Sequence, residues 1–214
     1  MAAPARAAEG EQAKAAAPAE KSEAPAKDEK SDFGHGGQFG LRAGIVLGYR
    51  MVLRYDSSPY CAPPKAEKSP ADQQKFCGYG APPAVDLGLS FGVLDFLEPF
   101  AWARFGLGAD TNSDTNPLVL VGAGVRLYTM SDAVFKIFIE PAVAFQFESG
   151  RGSADWQTNN PNYSKDFVLH LAAGPQIDFH ENFGLYVTGG ISMGVVRALA
   201  SSFDLNIGLQ GRLP

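Results

Sequence analysis

The stretch Phe135–Phe147, FKIFIEPAVAFQF, decides the fold of this chain. Its odd positions are Phe135, Ile137, Ile139, Pro141, Val143, Phe145 and Phe147; its even positions are Lys136, Phe138, Glu140, Ala142, Ala144 and Gln146. Successive side chains of a strand point to opposite faces, so this period of two reads as one long strand with an apolar face and a mixed face. The same alternation runs from Phe167 to Phe179, where His170, Gln176 and Asp178 hold even positions. It returns from Phe203 to Leu213, with Asp204, Asn206, Gly208, Gln210 and Arg212 on the even side.

Working outward, the pattern predicts strands over 38–55, 84–94, 97–108, 117–129, 134–148, 165–179, 183–197 and 202–213. Several run about a dozen residues, longer than the usual five or six of soluble strands and matched to a tilted membrane strand. The apolar face is too bulky for the interior of an eight-stranded barrel, which side chains barely fill. The other face carries Gly40, Gly44, Gly48, Gly88, Gly92, Gly106, Gly122, Gly124, Gly174, Gly190 and Gly194, as a narrow lumen requires. Large aromatics on the apolar face gather toward strand ends (Phe39, Tyr55, Phe135, Phe147, Phe167, Phe179, Phe183 and Phe203), the arrangement of two interfacial girdles. Short connections at 95–96, 130–133 and 180–182 alternate with long ones at 56–83, 109–116 and 149–164, the rhythm of periplasmic turns and external loops. The fold class is therefore all-β: an antiparallel, up-and-down transmembrane barrel of about eight strands with a disordered N-terminal arm.

Composition agrees. Charged residues are 19% of the 214, below the roughly 25% of soluble domains. A net charge of −5 and a pI near 5.2 exclude a general nucleic-acid binder. No run of about 18 apolar residues marks a transmembrane helix. Residues 1–36 hold no Ile, Leu or Val and no aromatic before Phe33. That composition cannot offset chain entropy by burial, so the segment reads as a disordered Ala/Pro/Lys/Glu-rich periplasmic arm, and 37–214 as the barrel. The N-terminus lacks the apolar core of a signal peptide, so the sequence is expected to begin at a mature end with Met1 added for expression.

The segments LVLVGAGVRLY (118–128), IEPAVAFQF (139–147) and GPQIDFHENFGLYVTGGISMG (174–194) resemble strands of the OmpA-type and opacity-type outer-membrane barrel superfamily. The resemblance covers most of residues 38–214 and is specific to architecture. Barrels of that superfamily usually end in an aromatic, commonly Phe, whereas this chain ends Arg212-Leu213-Pro214. The arm is similar in composition to those of myxobacterial envelope proteins, including barrels of the gliding-motility machinery. The resemblance implies a role in membrane integrity or adhesion, or as the outer-membrane subunit of an envelope-spanning assembly.

The candidate residues fall in three groups. Even positions place Arg42, Arg50, Arg54, Arg104, Arg126, Lys136 and Arg212 in the lumen against Asp86, Glu98, Glu140, Asp166, Asp178 and Asp204. Unpaired buried charge costs several kcal/mol, so this near balance reads as a paired network. Phe100, Trp102, Tyr128, Phe138 and Tyr186 point inward with it. Cys61 and Cys77 lie in the first long loop, where a disulfide would staple it by about 3 kcal/mol. Tyr60 and Tyr79 flank that loop, and Trp156 and Tyr163 stand in the third, as candidates for contact with partners.

Two further patterns stand out. Asp166, His170 and Ser192 have the composition of a nucleophilic triad but face inward, away from lipid. Pro99, Pro141 and Pro175 interrupt proposed strands; Pro141 and Pro175 read as neighbours across one strand pair, with a bulge between them. Glu98-Pro99 and Glu140-Pro141 repeat one dipeptide.

The reading is thus a non-enzymatic barrel of the outer membrane that contacts lipid and lipopolysaccharide and needs no cofactor. It serves as an anchor or adhesion subunit for a periplasmic or envelope-complex partner, with the arm in the periplasm and the long loops outside. The rival readings are a narrow gated channel and a lipid-modifying hydrolase.

Overall fold

Eight strands alternate buried and exposed along their length, as the sequence period demands: β1 Phe39–Arg54, β2 Phe76–Phe91, β3 Leu97–Gly106, β4 Leu118–Thr129, β5 Phe135–Glu148, β6 Lys165–His180, β7 Phe183–Gly194 and β8 Ala198–Leu213. The computed structural model describes residues 33–54, 76–108, 117–148, 165–196 and 198–214. Each strand pairs antiparallel with its sequence neighbours, and β8 returns to β1, closing the barrel. The closing ladder runs unbroken from Phe39↔Leu213 to Arg54↔Ala198. Where all eight strands pair, closure removes the sheet edge, whose unpaired backbone groups a membrane would not tolerate.

The barrel is inverted relative to a soluble one. In β5 the odd residues Phe135, Ile137, Ile139, Val143, Phe145 and Phe147 are 42–57% exposed, while Lys136, Phe138, Glu140, Ala142, Ala144 and Gln146 are at most 9% exposed. The outer wall is apolar and the inner face carries the charge. Exposed rings form two belts: Phe39, Phe91, Phe135, Phe179 and Phe183 near the short turns, and Tyr49, Phe105, Phe145, Phe147 and Phe203 near the long connections. Ten residue-to-residue steps of strand, as from Phe39 to Tyr49, rise about 25 Å at 3.3 Å per step and a tilt of roughly 40°. That is the height of the apolar band of an outer-membrane barrel. The wall is therefore lipid-facing.

Several expectations need correction. The second strand begins at Phe76, not at residue 84, and so contains Cys77 and Tyr79. Cys77 stands opposite Val52, and Tyr79 stands opposite Arg50 and is buried. The strand crosses Pro82-Pro83, which read as loop, by a register shift: Val46 pairs with Ala84 but Gly48 with Ala81. The extra residue of that bulge takes up two prolines that have no N–H to give to the ladder. The last strand likewise begins at Ala198, not at residue 202.

Pro141 and Pro175 are not neighbours, since Pro141 faces Leu171 and Pro175 faces Ile137. Neither forces a bulge. The β4–β5 ladder pauses between Gly124↔Ala142 and Leu127↔Ile139, and the β6–β7 ladder between Ala173↔Gly189 and Gln176↔Tyr186, each resuming in the same register. Pro99 sits beyond the end of the β2–β3 ladder, which stops at Ser90↔Phe100.

Phe33–Gly36, read as arm, is hydrogen-bonded to the barrel through Lys136 and Asp95. Residues 1–32, and with them most of the expected arm, lie outside the described residues, as do Tyr60, Cys61, Trp156, Tyr163 and the Arg54 side chain.

Candidate functional site

Register brings the even residues of neighbouring strands together in the lumen. Glu98 stands opposite Arg126, Asp86 opposite Arg104, His170 opposite Ser192, and Lys136 opposite Gln176. From these pairs two polar layers grow, one at the turn end and one nearer the long connections.

The turn-end layer centres on Glu98, which is fully buried. Its Oε1 accepts from Arg126 Nη1 at 2.5 Å and its Oε2 from Arg212 Nη2 at 2.6 Å. Arg126 Nε also donates to Glu140 Oε2 at 2.9 Å. The repeated Glu-Pro dipeptides thus grip one guanidinium from both flanking strands. Arg42 spans the lumen beside it, donating to Gln176 Oε1 at 2.6 Å, Tyr128 Oη at 3.0 Å and Gln210 Oε1 at 3.0 Å. Its guanidinium carbon lies 4.4 Å from the centre of the Tyr186 ring and 4.8 Å from that of Phe138. Stacking on ring faces stabilises a cation that is removed from water.

Beyond this layer the chain itself enters the barrel. Lys136, fully buried, donates from Nζ to the Phe33 carbonyl at 2.6 Å and to Asp178 Oδ2 at 2.5 Å. His35 is 1% exposed; its Nε2 lies 2.9 Å from Asp178 Oδ2 and 2.8 Å from Lys136 Nζ. Its Nδ1 is 3.6 Å from Glu98 Oε2, and its ring packs edge-on to Tyr128 at 4.7 Å. Loss of hydration holds the imidazole well below its ordinary 6.5, at about 4, and the nearby Arg212 and Lys136 charges add to the effect of burial. His35 is therefore neutral at pH 7. That suits a layer in which Arg42, Arg126, Lys136 and Arg212 already outnumber Glu98, Glu140 and Asp178.

Backbone geometry seats the segment. Gly37 has φ +81°, a left-handed conformation that glycine adopts without strain, and there the chain turns from the lumen into the wall. Its N–H donates to Gly92 O at 2.7 Å, and Gly92 N–H donates to Gln38 O at 2.9 Å. A side chain at Gly92 would run into the His35 carbonyl. Gly36 N–H donates to Asp95 Oδ1 at 2.9 Å.

The second layer is smaller. Arg104 makes a fork to Asp86, from Nε at 2.7 Å and Nη2 at 2.9 Å, and donates from Nη1 to Asp204 Oδ2 at 2.5 Å. Ser192 Oγ donates to the same Asp204 oxygen at 3.2 Å and lies 2.8 Å from His170 Nδ1. Asp166 does not complete a triad: its Oδ1 accepts from the Val196 N–H at 2.9 Å. The hydroxyl here bridges an imidazole and a carboxylate, whereas a relay needs the imidazole between the other two. Arg50 is buried in the lumen as well.

Sequence reasoning assigned His35 to the arm and gave no role to Gln210, and the structure makes both members of the turn-end layer. A histidine set in FGHGG, with glycines that let a backbone turn and approach closely, was the available signal.

No family model matches this chain, and no curated protein matches it. Solved structures do. The chain is similar to neisserial surface protein A, with 12% identity, a TM-score of 0.55, and coverage of 83% of this chain and 99% of that one. It is also similar to the outer membrane protein OprG from Pseudomonas aeruginosa (11% identity, TM-score 0.49, 85% and 98% covered). Ail, the attachment invasion locus protein of Yersinia pestis, follows at 10% identity and a TM-score of 0.45, with 83% and 99% covered. At such identities the likeness is one of fold, and the first of the three carries it. This chain has the fold of the small eight-stranded outer-membrane barrels.

Proposed function

We propose that this chain is a non-enzymatic barrel of the bacterial outer membrane that anchors its N-terminal arm on the periplasmic side and displays its long connections outside. It contacts outer-membrane lipid and lipopolysaccharide through its wall, and the arm engages a periplasmic or envelope-complex protein. The observation that carries this reading is the fixing of the chain where the arm begins. Phe33–Gly37 is bonded into the barrel by Lys136, Asp95 and Gly92, so a load on the preceding residues is passed to a closed ladder. The apolar wall and its two aromatic belts support residence in lipid. The order Asp204–Ser192–His170, with Asp166 engaged elsewhere, supports a packing role over hydrolysis.

Crosslinking and copurification from envelopes test it. The full chain is compared with a variant lacking residues 2–30, which keeps the seated segment. The expected result is loss of periplasmic or inner-membrane partners while the barrel still fractionates with the outer membrane. An unchanged set of copurifying proteins would sink the arm's role.

A further inference from the structure

We propose that the barrel is a latent pore for small inorganic ions and that its closing element is its own Phe33–Gly37 segment. The turn end is closed by main chain as well as by side chains. His35 reaches lumen-facing groups on four consecutive strands: Glu98 of β3, Tyr128 of β4, Lys136 of β5 and Asp178 of β6. On the β2 side the segment is clipped to Gly92 by paired backbone hydrogen bonds.

Past the turn-end layer the lumen is not solid. One small cavity of about 40 Å³, room for a few waters, lies among Asp86, Ser90, Trp102, Thr188 and Asn206. A second, also of about 40 Å³, lies toward the long connections among Arg50, Gln146, Ser192 and Ser202. Arg104 and Asp204 line both chambers, so these two side chains form the partition between them. Trp102 Nε1 and Asn206 Oδ1 are buried with no hydrogen-bond partner among the described residues, and both residues line the first cavity, which has room for a few waters.

The barriers along the axis differ in kind. The layers at Arg104 and at Arg42 are made of side chains, whose rotamers can rearrange without moving the wall. The Phe33–Gly37 barrier is a length of backbone, and it opens only by withdrawal. Withdrawal requires the bonds to Lys136, Asp95 and Gly92 to release, so the seat that anchors the chain is also what keeps the barrel closed.

Gly92→Ala supplies the test, because the added methyl group meets the His35 carbonyl and must expel the segment, while Gly92 itself has no left-handed backbone to strain. Lys136→Gln is the second variant; it weakens the hold on the Phe33 carbonyl and on Asp178 from the barrel side. Full-length protein is refolded, its folded state checked by heat-modifiable gel migration, and its conductance recorded in planar bilayers in potassium chloride. The wild type is expected to be closed nearly all the time. Each folded variant is expected to raise the open fraction about tenfold or more, as loss of a seat shifts a two-state equilibrium. Steady wild-type conductance equal to that of Gly92→Ala would overturn the proposal, as would silence of both folded variants. Failure of both to refold would make the segment part of the folding core and overturn it equally.

Discussion

The two polar layers of the lumen are built from the same residue types and differ in how closely they are bound. At the turn end, Glu98 ties Arg126 to Arg212, Glu140 returns to Arg126, and Lys136 and Asp178 enclose His35, all nearly inaccessible to water. Nearer the long connections, Arg104 holds Asp86 and Asp204 between two chambers, and Asp86 retains partial exposure. The difference teaches where an eight-stranded barrel invests its bonding. The densest network lies where a chain segment must be held against the wall, and the sparser one where only the lumen must be spanned.

The largest break in that comparison is expected from Glu98→Ala. It removes the carboxylate paired with Arg212 and one of the two that hold Arg126, and breaking a buried pair costs about 3–5 kcal/mol. Asp86→Asn in the other layer leaves an amide oxygen that still accepts from Arg104, so its cost is expected at about 1–3 kcal/mol. Denaturant unfolding in detergent or bilayers measures both. Equal losses would erase the distinction between the layers.

Acid sharpens it next. In the folded state His35 keeps its neutral form down to about pH 4, whereas in the unfolded chain it takes up a proton near 6.5. Between those values the unfolded state binds more protons, so this group's effect on stability falls as pH drops from 6.5 through 4. The full shift corresponds to about 3 kcal/mol. His35→Gln is expected to abolish that part of the pH dependence, and a denaturant midpoint that fell identically in both proteins would contradict the assignment.

A smaller effect separates the wall's middle from its rim. Ile207, opposite Ile45, is on the exposed apolar wall, and Arg in its place is expected to cost about 2–4 kcal/mol. Leu213, at the turn-end rim opposite Phe39, is expected to cost about 0–1 kcal/mol on the same change. The same unfolding measurement in lipid reads the gap; no gap would mean the wall does not face hydrocarbon.

Alternation was enough to read the wall and the lumen from the sequence. Phe135 and Lys136 fall on opposite faces whatever strands they pair with, and the inward set from Arg42 to Arg212 follows from the same parity. Partners were not legible, because they depend on register. That Glu98 meets Arg126, or that both Glu-Pro dipeptides converge there, requires the β3–β4–β5 alignment. The start of β2 was hidden by Pro82-Pro83, whose ordinary meaning is loop and which a bulge absorbs. His35 was hidden by its neighbours, since a polar, glycine-rich segment matches the composition of an arm until main-chain bonds to Gly92 and a buried lysine fix it in place.

Amide hydrogen exchange on the full chain in lipid bilayers tests the closed turn end most directly. The N–H groups of Gly37 and Gly92, each bonded to the opposite carbonyl across the seat, are expected to exchange as slowly as those of the neighbouring β1–β8 ladder. Exchange of the Gly37 and Gly92 amides at unprotected rates, with the β1–β8 ladder still protected, would show an open turn end and contradict the account.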